Sequence, residues 1–122
     1  MHGTGMARIS IVATRLLEMR ELAGLSQTEL GVAAGMPVGH CGIQICQYET
    51  GTHMPDIWLM IRLARVLKAP VPYFYCEDPQ LAHLILKFGT LGSEQRSRLL
   101  SLMAELEETP PTSAQQGLDR PA

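Results

Sequence analysis

Every stretch of helical periodicity in this chain is short, and a glycine or proline closes each one. Gly24, Gly35, Gly51, Pro70 and Gly89 fall at the ends of successive apolar-periodic runs, where helices commonly stop. Helices of about three turns are marginal in water by themselves. Segments cut this finely must hold one another in place through their apolar faces. No stretch alternates with the period of a strand, and no internal repeat is present. The expected fold class is therefore all-α.

The signals at each segment agree with that reading. Between Ile11 and Ala23, the residues Val12, Leu16, Met19 and Ala23 share one helical face, with Arg15, Glu18 and Glu21 turned away. In LSQTEL, Ser26 and Glu29 have the spacing of a capping box, so a second helix runs from 27 to about 34. A third occupies about 42 to 49. Asp56 caps a fourth that ends at Leu67, with Ile57, Met60, Ile61 and Ala64 as its inward stripe. Pro70 and Pro72 bracket a turn, and Tyr73, Phe74 and Tyr75 form a single helical turn. Asp78-Pro79 opens a further helix, cap then proline, with Leu81, Leu84, Ile85 and Phe88 in a stripe. Ser93 caps the last, with Leu99, Leu102, Met103 and Leu106 on one side.

A chain of 122 residues holds one small domain and an appendage rather than two independent cores. The expected divisions are a flexible N-terminus (1–10), a helical domain (11–76), a C-terminal helical extension (77–108) and a polar, disordered tail (109–122). No apolar run reaches membrane length, and the start lacks a basic-then-apolar layout. These features predict a cytoplasmic protein with no membrane association. The three cysteines, Cys41, Cys46 and Cys76, read as reduced thiols. Net charge is −2 but uneven: residues 1–75 carry six Lys/Arg against five Asp/Glu, while 76–122 carry four against seven.

The ordered set of SQTEL, a glycine turn, QYETG and a fourth helix behind a Pro-Asp step resembles the Cro/C1-type (XRE) helix-turn-helix family over roughly residues 11–76. The helices after it are similar to extensions on some prophage-type regulators. The resemblance implies a five-helix DNA-binding domain with a C-terminal helical hairpin extension, in a regulator that needs no cofactor or metal and has no enzymatic activity. Aligning Ile45, Tyr48, Glu49 and Gly51 on the family pattern makes GIQICQYE the recognition helix. Gly42, Ile43, Gln44 and Gln47 are then its base-reading side. Glutamine suits this role because its amide donates and accepts together toward adenine, and Ile43 suits a thymine methyl. The bland alternative is a pair of ordinary surface glutamines. Gln27 and Thr28 at the start of helix 2, with Tyr48, Thr52 and His53, are the candidate contacts to the DNA backbone; a solvated Gln27 is the alternative. Gly31 stands where helices 2 and 3 approach most closely. The resemblance also implies an internal ion pair between Arg20 and Glu49, against which stand two separate solvated charges.

The turn between helices 2 and 3 is a few residues longer than the family pattern, and Pro37 and Gly39 place the excess in the turn. From Gln27 to Pro55 there is no Lys or Arg, although phosphate neutralisation supplies much of the affinity of DNA-binding proteins. His40, Cys41, Cys46 and His53 suit no common structural zinc spacing. Trp58 and Leu59 fall outside the inward stripe of helix 4, so the C-terminal helices of the same chain or of a partner chain are expected over them. Together with Leu84, Ile85, Phe88, Leu99, Leu102 and Met103 they are the candidate interface of a homodimer. Two-fold pairing doubles the footprint of a short recognition helix on a double-stranded operator. A protein-interaction module, antitoxin-like or adaptor, is the rival reading. No small-molecule inducer is legible.

Overall fold

The computed structural model describes residues 10–108. The expected flexible N-terminus and polar tail lie almost wholly outside them. Seven helices and no strand occur among the described residues: α1 (Ile11–Ala23), α2 (Gln27–Ala33), α3 (Cys41–Thr50), α4 (Ile57–Leu67), α5 (Val71–Tyr75), α6 (Pro79–Phe88) and α7 (Ser93–Glu107). The protein is all-α. None of these helices is long and apolar enough to cross a membrane. Two compact units divide the chain, one running through Gly89 and the other beginning at Thr90.

Local chemistry sets the helix ends. Ser10 Oγ accepts from the Ala13 N–H at the start of α1. At α2 the Ser26 and Glu29 side chains each satisfy the other's backbone N–H, at 3.0 and 2.8 Å. Asp56 accepts from the Leu59 N–H at 2.8 Å and so opens α4. Asp78 does the same for Gln80 at α6. The last helix opens one residue earlier than expected, with Gly92 as its cap and Gln95 reaching back to the Gly92 N–H. Behind α2, the Gly35 N–H bonds Val32 O and the Met36 N–H bonds Gly31 O. This Schellman closure needs the left-handed φ of +82° that Gly35 adopts.

Leu16, Leu30, Ile45, Met60, Leu63 and Phe74 form the centre of the first unit, all fully buried. Tyr73 and Phe74 meet edge to face, 5.4 Å between centroids. Arg15 is not turned to solvent. Its guanidinium lies 4.9 Å over the Tyr73 ring and donates twice to Cys76 O, at 3.0 and 2.8 Å. Of the expected α1 stripe, Ala23 is exposed and the other three members are buried.

Helix α4 sits in a different register from the expected one. Leu59, Met60, Leu63, Ala64 and Leu67 are buried, whereas Ile57 is exposed. Leu59, expected at a partner surface, is 8% exposed and packs within the core; Trp58 alone of that pair faces out, at 72%. The segment IWLMIRLARVL is apolar almost all round, so apolar periodicity admits several registers. The outer side is marked instead by Arg62 and Arg65, which share it with Trp58. The C-terminal helices also divide differently from the expected extension. α6 belongs to the first unit: Ala82 is buried, and Ile85 and Leu86 pack against the core. Leu81 and Leu84 stay exposed and Phe88 is half-buried. The small Ala82 side chain lets α6 settle on the domain, and Gly89 comes so close to Pro70 that an added Cβ would lie 2.8 Å from its Cγ.

Candidate nucleic-acid interface

Helices α2 and α3 interlock through two glycines. A Cβ on Gly31 would stand 2.6 Å from Cys41 Cβ, and one on Gly42 would stand 2.4 Å from Thr28 Oγ1. Real Cβ atoms do not approach so closely, so both glycines are required by the contact. Gly42 is therefore not part of an outward reading face, as the sequence pattern suggested; its bare side lies under the Thr28 hydroxyl. The Cys41 thiol is fully buried in the same seam, 3.7 Å from the carbonyl oxygens of Thr28 and Val38.

One face of α3 is committed to the interior. Cys41, Ile45 and Glu49, one helical turn apart, are its buried residues. Glu49 is the only charged residue buried in the core among the described residues, with its side chain 3% exposed. A carboxylate at such a place requires compensating donors. Arg20 supplies Nε at 2.5 Å and Nη2 at 3.0 Å, a bidentate fork, while its Nη1 holds Leu25 O at 2.8 Å. Gln27 Nε2 donates to Glu49 Oε1 at 3.0 Å. One residue from each of α1, α2 and α3 thus meets at a single carboxylate. The hydrogen bonds to Glu49 push the Arg20 guanidinium further toward its charged form, against the opposing effect of its burial. The Gln27 amide nitrogen, expected to grip a phosphate, is engaged in this internal node.

The other side of α3 carries Ile43, Gln44 and Gln47. Ile43 is 62% exposed and both glutamines are half-exposed. Tyr48 leans on the core from the flank, and burial, helped by the Asp56 charge, pushes its phenol pKa up. Past the helix end, the Thr50 and Thr52 hydroxyls are 3.0 Å apart and His53 is exposed.

The chain matches no family model and no curated protein. Among solved structures it is similar to the crystal structure of the transcriptional regulator BswR, at 35% identity and a TM-score of 0.72. The match covers 84% of this chain and 97% of that one. The chain belongs to the BswR family of transcriptional regulators.

In this BswR-family protein the α2–α3 connection spans residues 34–40, so the residues in excess of the Cro/C1 pattern lie in the turn. Met36 anchors that turn in the core while Val38 and Gly39 are exposed. The internal Arg20–Glu49 pair is the one the resemblance implied. Two arginines that sequence reasoning treated as solvated or left aside also have structural duties: Arg15 is held as described, and Arg62 Nε donates to Ala34 O at the end of α2, 2.8 Å away. The signal for Arg62 was its position on the outer side of an otherwise apolar α4, next to a helix end with unsatisfied carbonyls. The three cysteines are free thiols. No group of three His, Cys, Asp or Glu among the described residues is placed to hold a metal ion.

Proposed function

We propose that the protein is a homodimeric, sequence-specific DNA-binding repressor of Cro/C1 type, with α3 entering the major groove. The observation that carries this reading is the division of α3. Its inner face is locked by Cys41, Ile45 and Glu49, while Ile43, Gln44 and Gln47 look outward from a helix-turn-helix unit in a regulator family. Gln44 and Gln47 read base edges through bidentate amides, and Ile43 packs on a thymine methyl. Thr28, Thr52, His53 and Tyr48 face the DNA backbone on either side. With Gln27 turned to Glu49 and no Lys or Arg from 27 to 55, binding rests on hydroxyls, amides and the pairing of two copies.

An electrophoretic shift assay on DNA from the protein's own upstream region tests the proposal. Gln44→Ala or Gln47→Ala should cost about 1–3 kcal/mol on the specific site and little on random DNA. Affinity should fall only shallowly with salt, because few counterions are displaced. Equal losses on specific and random DNA would remove the base-reading role. The cation-free α3 with its exposed Ile43 favours one second reading, a module that presents this face to a protein. No shift on any upstream fragment, with a folded dimer in hand, selects it.

A further inference from the structure

The chain leaves α3 by turning straight back onto it. Gly51 takes a left-handed φ of +81° and its N–H bonds Tyr48 O. The N–H groups of Thr52 and His53 both bond Gln47 O, at 3.0 and 3.2 Å. Gln47 is a base reader in the proposal above, so the Thr52 backbone hangs from the residue whose amide faces the groove. Whatever Thr52 touches is thereby held at a fixed offset from what Gln47 reads. Its own N–H is spent on this turn, which leaves the hydroxyl as the one donor Thr52 has to give.

That hydroxyl is paired. Thr50 Oγ1 stands 3.0 Å from Thr52 Oγ1, 3.0 Å from Cys46 O and 3.2 Å from Gln47 O. Both threonines are exposed. A threonine hydroxyl has one proton and two lone pairs, so two arrangements compete. When Thr50 donates to the carbonyls, Thr52 donates to Thr50 and has no proton left for a partner. When Thr50 donates to Thr52, the Thr52 proton is released for an acceptor outside the chain. The carbonyls lose little in the second arrangement. Gln47 O keeps its two backbone donors, and the bond to Cys46 O is an exposed one that water replaces.

An anionic acceptor selects the second arrangement. Hydroxyls are ordinary donors to DNA phosphates, and this surface has no Lys or Arg from 27 to 55 to do the work instead. A bond to a charged acceptor is roughly twice as strong as one between neutral groups, and successive hydroxyls in a chain polarise one another. We infer that Thr50 is a positioning residue for DNA binding: it donates to Thr52, and Thr52 donates to a phosphate beside the bases that Gln47 reads. Thr50 itself touches no phosphate. The inference rests on the DNA-binding reading above and adds a residue to it.

Fluorescence anisotropy of the full chain with two labelled duplexes tests this, one from the upstream fragment that it shifts and one of random sequence. Thr52→Val should weaken both complexes roughly tenfold, the worth of one hydrogen bond to a charged group. Thr50→Val keeps the shape and removes the hydroxyl; it should weaken both roughly threefold, a fraction of that bond. Thr50→Ser should bind as the native chain does. The double variant T50V/T52V should be no weaker than Thr52→Val, because Thr50 acts through Thr52. Salt slopes should be unchanged throughout, since a neutral donor displaces no counterion. Thr50→Val should also melt with the native chain, because a hydroxyl bonded back to its own helix adds little stability; if it melts early, Thr50→Ala takes its place. Native affinity in the Thr50 variant overturns the relay, and so do additive losses in the double variant, which would put Thr50 on the DNA itself. A loss confined to the upstream duplex overturns it too, since a phosphate contact is blind to sequence. In each of these cases a Gln47→Ala loss on the upstream duplex leaves the base-reading proposal standing. A native chain that binds neither duplex overturns both.

Discussion

Removing the Arg20 side chain should be among the most damaging single changes this domain can suffer. Arg20→Ala leaves the Glu49 carboxylate, 3% exposed, with the Gln27 amide as its one side-chain donor of those described above. It also deprives Leu25 O of the donor at 2.8 Å. Breaking a buried pair on one side costs about 3–5 kcal/mol, because the remaining charge is stranded away from water. Arg20 itself keeps 13% exposure, so some water reaches the site and the lower end, about 3 kcal/mol, is the expectation. Against the roughly 4–12 kcal/mol available to a unit of this size, that is a large fraction of total stability. Replacing both partners with apolar side chains, R20M/E49L, removes the stranded charge and should land within about 1–2 kcal/mol of the native chain. Urea denaturation followed at 222 nm gives all the values needed for a double-mutant cycle. If Arg20→Ala cost less than about 1 kcal/mol, the pair would behave as an ordinary solvated surface bridge. The burial argument would then be wrong.

Two further outcomes follow from backbone geometry. Gly42→Ala places a methyl 2.4 Å from Thr28 Oγ1 and should lower stability by about 1–3 kcal/mol; adding Thr28→Ala removes the clash, and thermal melts of the double variant should recover most of the loss. Lys68 is the one non-glycine residue with positive φ (+57°) among the described residues, at the end of α4. Lys68→Gly relieves a left-handed strain of about 1–2 kcal/mol at an entropic cost of about 0.5–1, so a net gain of up to about 1 kcal/mol should appear in a urea titration.

Where the sequence was legible, the signal was local. The Ser26–Glu29 capping box, the Asp56 and Asp78 caps and the glycine stops at 24, 35 and 51 depend on side chain and backbone within a few residues, and each lies where its chemistry put it. The packing of α4 was harder to read because Ile57, Trp58, Leu59, Met60 and Ile61 are all apolar. Only the tertiary partners decide that Leu59 goes in and Ile57 out. α6 shows the same limit: Leu84 looked like a stripe residue, but the small Ala82 sets which side meets the core. At the candidate site, the outward placement of Ile43, Gln44 and Gln47 follows from the helix period once Ile45 is inside. The close approach of Gly42 to Thr28 and the engagement of Gln27 with Glu49 join separate helices, and no local rule encodes them.

On α3, the side chains that hold the helix and those that face away from it are interleaved but distinct. Cys41, Ile45 and Glu49 are fixed by the seam with α2 and by the Arg20 node, so drift at any of them is punished through folding. Ile43, Gln44 and Gln47 carry little of that burden, since surface changes away from such features usually move stability by no more than about 0.5 kcal/mol. A lineage carrying this scaffold can therefore alter what α3 presents one position at a time, with every intermediate still folded. Descendants of one such chain would diverge fastest in what they recognise and slowest in how they fold.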